Sequence, residues 1–91
     1  MEHHRLVEIV TKLIEMGLVA KPKMMGNLNL RQVVELHLRL HNKIRMPSGK
    51  TVSFTPTESG GLRIQEYLGT HEGDQITLSP EEIKVILGEC P

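Results

Sequence analysis

The sequence predicts an α+β, two-layer domain: an antiparallel sheet of about four strands, with one face covered by an N-terminal and a C-terminal helix. Three observations carry this. Apolar residues near both chain ends recur at helical spacing, and those between recur at a period of two. The apolar strand positions are overwhelmingly even-numbered, as one covered face and one open face require.

The first element is an amphipathic helix over residues 3–16. Leu6, Ile9, Val10, Leu13 and Met16 form its stripe, while Arg5, Glu8, Lys12 and Glu15 point elsewhere. Gly17 suits the left-handed position after the last turn, and Leu18 is placed to make the apolar contact that follows such a cap. A loop runs from Val19 to Gly26, broken by Pro22 and Gly26.

The next segment alternates. Val34, Leu36, Leu38, Leu40, Ile44 and Met46 are apolar, with Glu35, His37, Arg39, His41, Lys43 and Arg45 between them. Leu30, Val33, Val34, Leu38 and His41 also fall near one helical face, but a helix leaves Leu36 and Leu40 on the charged side. The alternation therefore predicts a strand over residues 33–46. Strands usually have about 5–6 residues, so one this long is expected to bend or bulge near Asn42.

Met46 to Lys50 reads as a turn, with Pro47 and Gly49 supplying the special backbone angles. Strands follow over 51–55, 62–68 and 75–78. Val52, Phe54, Leu62 and Ile64 face inward, and turns fall at 58–61 and 71–74. The last helix, 80–87, is bounded by Ser79 as N-cap, Pro80 at the first helical position, Glu82 completing a capping box, and Gly88 at its end.

The chain of 91 residues is read as a single domain, 1–91. Phe54 and Tyr67 are its aromatic residues, so the core must be aliphatic. Residues 1–50 hold nine Lys/Arg against four Asp/Glu, a balance of +5. Residues 51–91 hold two against seven, a balance of −5. Such polarity suits a basic binding surface or complementary association. The lone Cys90 builds neither a disulfide framework nor a thiolate metal site. No signal pattern or membrane-spanning apolar run is present, so a cytoplasmic protein is expected.

No motif identifies a reaction. Ser48-Gly49-Lys50 lacks the rest of a phosphate loop, and Glu81 and Glu82 are explained by helix-start electrostatics. His3, His4, His37, His41 and His71 raise metal binding, and in a helix His37 and His41 share a face at ligand spacing. On the expected strand those two lie about 13 Å apart, and no Cys or carboxylate completes a site, so neither metal nor cofactor is expected and the chain is read as non-enzymatic. The lead to function is the charged face of the alternating segment. On a strand, His37, Arg39, His41, Lys43 and Arg45 line the open face about 7 Å apart, near the phosphate spacing of an extended nucleic-acid strand. Arg63 joins them from a later strand, and Tyr67 is placed to stack a base.

The run from Lys50 to Leu87 also resembles the single-stranded-DNA-binding domain of the transcriptional positive cofactor 4 family. The matching residues are Val52-Ser53-Phe54, Ile64-Gln65-Glu66-Tyr67, Ile76-Thr77-Leu78 and Ser79-Pro80-Glu81-Glu82. The family's basic strand positions are occupied here by Ser53, Thr55 and Pro56, and residues 1–49 have no counterpart. The resemblance implies a dimer with a polar sheet face and no catalytic residues.

Two functions are thus expected. The first is a homodimeric domain binding single-stranded nucleic acid through a basic open sheet face. The second is a protein-interaction or regulatory adaptor acting through helix or sheet-edge contacts. Val7 and Ile14, off the main stripe of the first helix, support self-association together with Leu18, Val19, Met24 and Met25.

Overall fold

The computed structural model describes residues 1–41 and 43–89, with His41 described through its backbone only. Its elements are α1 (His3–Glu15), α2 (Leu30–His41), β1 (Lys43–Arg45), β2 (Lys50–Pro56), β3 (Leu62–Leu68), β4 (His71–Leu78) and α3 (Pro80–Leu87). The strands form one antiparallel meander in the order β1-β2-β3-β4. This is the expected α+β architecture, with an N-terminal and a C-terminal helix joined by a third.

The even-numbered strand residues build the core. Ile44, Val52, Phe54, Leu62, Ile64 and Leu78 are buried, and Leu6, Ile9, Val10 and Leu13 of α1 meet them in one cluster with Ile83 of α3. Val7 and Ile14 are also buried within the chain, because α1 packs against both α2 and α3. Their off-stripe position therefore needs no partner chain to explain it.

The long strand expected over 33–46 is overturned. Residues 30–41 wind into α2, and only Lys43–Arg45 pair with β2. The helix wins because Val33, Val34 and Leu38 bury one face, with Leu30 packed alongside. A reciprocal cap fixes its start. The Gln32 N–H donates to Asn29 Oδ1 at 2.9 Å, and the Asn29 N–H donates to Gln32 Oε1 at 2.9 Å. The bend expected near Asn42 lies outside the described residues.

The two glycine-capped helix ends form as expected. Gly17 (φ 79°) follows α1 while Leu18 N–H bonds Leu13 O at 2.9 Å, and Gly88 (φ 72°) closes α3. Leu18, however, stays 60% exposed, and Val19 tucks into the core instead. At the start of α3, Ser79 and Glu82 make the expected capping box.

The turn expected at 71–74 is a second correction. The β3–β4 hairpin closes at Gly69-Thr70, and His71 already pairs with Leu68. Gly73 and Asp74, which read as turn residues, form a bulge between the Gln65↔Gln75 and Tyr67↔Glu72 pairs. Gln65 Nε2 reaches the Gly73 carbonyl at 3.1 Å and its neighbour's at 3.4 Å, so its amide supplies a donor where the ladder is interrupted.

A bidentate ion pair joins the chain ends. Arg5 donates to both carboxylate oxygens of Glu89, at 2.9 and 3.0 Å. The Arg5 hydrogen bond holds the Glu89 carboxyl below the usual carboxylate range, and Glu89 raises the Arg5 guanidinium in turn. Among the described residues no helix is long and apolar enough to cross a membrane.

Candidate nucleic-acid interface

The register of the meander decides which side chains share the face left bare by the helices. Ile44 pairs with Val52 on the covered side, so Lys43 and Arg45 project from the other. Three cross-strand rows follow. The first is Arg45, Thr51, Tyr67 and Glu72; the second is Lys43, Ser53, Gln65 and Gln75; the third is Thr55, Arg63 and Thr77. Neighbouring strands lie about 4.8 Å apart, so Tyr67 stands about 10 Å from Arg45, and Lys43 about 7 Å from Arg45 along β1.

The sites expected from sequence divide accordingly. Lys43, Arg45, Arg63 and Tyr67 share the open face, although the first two sit on a strand of only three residues. His37 and Arg39 do not, because they belong to α2. Arg39 instead pairs with Glu35 one helical turn back, at 3.1 Å. The side chain of His41, like Cys90, lies outside the described residues. Lys43, Arg45 and Arg63 form no salt bridge among the described residues, where carboxylates pair with Arg5, Arg31, Arg39 and Lys50.

His37 rejoins Lys43 and Arg45 by another route. A groove of about 570 Å³ runs between α2 and the open-face edge at β1, and all three residues line it. Its remaining walls are Met25, Leu36, Leu40 and the Thr51 side chain, and no carboxylate contributes. Leu40 is 63% exposed there. These two leucines are the residues that a helix was expected to strand among charges. Their misfit with the burial pattern was the sequence's signal for the groove.

A second groove of about 260 Å³ lies on the covered side, where the helices leave the edge of the sheet bare. Leu18 and the half-exposed Ile76 are at its mouth, with Glu66, Asp74 and Glu82 around it. Sequence reasoning missed it, because it depends on Ile76 pairing beside Ile64 beyond the end of α1.

Within 1–41 and 43–89, no cluster of three His, Cys, Asp or Glu side chains is arranged to hold a metal ion. What the open face offers is charge and hydrogen bonding: three cations, several hydroxyls and amides, one phenol, and one carboxylate, Glu72, at the far strand beside Tyr67. No family model, curated protein or solved structure matches the chain.

Proposed function

We propose that the chain is a non-enzymatic binding domain that holds single-stranded nucleic acid across its open sheet face. One observation carries this reading: among the described residues, Lys43, Arg45 and Arg63 project without carboxylate salt bridges from a polar face that also presents Tyr67. The cations meet phosphates, while Tyr67 offers a base its ring. His37 adds a polar contact at the groove, and Arg39 is a weaker contributor because Glu35 already holds it. The resemblance of residues 50–87 to the positive cofactor 4 domain points the same way.

A salt titration of oligonucleotide binding tests the proposal. Each phosphate contact on a single strand contributes about 0.7 to the slope of log affinity against log salt, so three cations give a slope near about −2. Arg63→Ala is expected to reduce it by about 0.7 without altering the fold, since Arg63 is exposed. A wild-type protein that fails to bind any oligonucleotide at low salt overturns the reading.

The exposed Leu18 and Ile76 favour a second reading, an adaptor whose smaller groove accepts a basic protein segment with an apolar anchor beside Asp74. That reading is tested by Ile76→Ser, which should abolish salt-tolerant binding of such a peptide and leave oligonucleotide binding intact.

A further inference from the structure

We infer that the groove between α2 and β1 is a nucleotide subsite, taking one unstacked base against Leu36, Leu40 and Met25 while its phosphate meets Lys43 and Arg45. This rests on the open-face reading and adds what that reading leaves out, namely where a base is gripped. The volume of about 570 Å³ lies within the range of about 300–1,000 Å³ usual for small-molecule sites. Its apolar and cationic walls are segregated, as a planar base with an anionic tail requires. The leucines come from the helix, one turn apart, and the cations from the strand.

The groove is also continuous with the open face. Arg45 and Thr51 line it and belong to the same cross-strand row as Tyr67. A strand leaving the groove therefore crosses Arg45 and Thr51 before it reaches the phenol, which stacks a neighbouring base. Leu36 and Leu40 account for apolar surface that the chain itself leaves wet.

The test compares a short fluorescent oligodeoxythymidine with an abasic strand of the same length, which keeps the phosphates and lacks the bases. Leu40→Ser is expected to weaken binding of the base-bearing strand by about three- to tenfold, from the loss of a partly covered aliphatic contact. It should leave the abasic strand and the salt slope unchanged, whereas Arg45→Ala lowers the slope for both. Met25→Ser, on the loop outside α2, provides an independent wall if the helix variant folds poorly. If both variants bind the two strands as wild type does while Arg45→Ala still flattens the slope, the subsite is overturned and the open-face reading stands. Absence of salt-sensitive binding by wild type overturns both.

Discussion

The two grooves share an apolar floor and differ in the sign of their rims, but the deeper difference is what their charges are already doing. Around the smaller groove, Glu66 is held by Lys50 at 3.3 Å, and Glu82 accepts the Ser79 N–H at 2.9 Å to cap α3. Those two carboxylates maintain the fold, and of this rim's three Asp74 alone has neither an ion pair nor a side-chain hydrogen bond among the described residues. Around the larger groove, Lys43 and Arg45 have no ionic partner among the described residues. A charge engaged in structure must break a contact before it meets a ligand, whereas an unengaged one gives up only its hydration. The opposed charge of the two chain halves, visible in composition, thus becomes two rims of unequal availability.

The comparison breaks most severely if the wall of the larger groove is not a helix. On α2, Leu38 is buried and Leu40 exposed; on a strand, both would share a face. Leu38→Ala should therefore cost about 2–5 kcal/mol of stability, and Leu40→Ala roughly 0.5 kcal/mol or less, read by urea denaturation. Equal losses would restore the extended reading and remove the groove.

That pair of leucines also shows where sequence reasoning failed. Both periodicities were legible in residues 30–41, and the choice turned on treating exposed leucines as an error. Exposed leucines violate the rule that separates helix from strand, so the misreading falls at the candidate site itself. The neglected signal was Asn29 with Gln32 three residues later, the same box pattern that placed α3 correctly from Ser79 and Glu82. The open face survived the misreading because Lys43, Arg45, Arg63 and Tyr67 all keep their parity. The row read as one strand is instead divided between α2 and β1, and Lys43 and Arg45 are the part of it placed on the sheet.

The second test concerns the smaller groove. Gly61 is buried in the β2–β3 turn, where its N–H donates to Thr57 Oγ1 at 2.9 Å. An added Cβ would press directly on the Leu78 carbonyl and lie 3.1 Å from Thr57 Oγ1. Gly61→Ala should cost about 1–3 kcal/mol through overpacking. Because Leu78 lines the smaller groove, the change should weaken occupation there more than oligonucleotide binding at the opposite edge. Equal damage to both would mean that the two sites are coupled through the sheet. Closeness of this kind is set by tertiary approach, which explains why sequence marked Gly61 only as a turn residue.

A smaller effect compares the helix caps beside the two grooves. Asn29→Ala and Ser79→Ala each remove a side-chain acceptor from an N-terminus, and each should cost about 1 kcal/mol. Their consequences should diverge. Loosening α2 lowers affinity for the base-bearing strand, since Leu36 and Leu40 ride on it, while loosening α3 spares that affinity. Melting curves and the oligonucleotide titration, run on both variants, decide the point.

The smallest effect separates charge held for structure from charge held for binding. Arg5 and Glu89 are exposed, so their pairing should be weak and screened by salt. Hydrogen bonding from Arg5 lowers the Glu89 pKa on folding, so the folded state binds this proton less readily than the unfolded chain. The resulting stabilisation is complete above the ordinary glutamate range and is lost as pH falls through the depressed folded value. Glu89→Gln should consequently lower the melting temperature slightly at neutral pH, and the difference from wild type should shrink on acidification and in high salt. Oligonucleotide affinity should not respond to the substitution. A melting difference that persists in strong acid would show that Glu89 acts through packing rather than charge, and a change in affinity would place the chain termini within the field of the binding face.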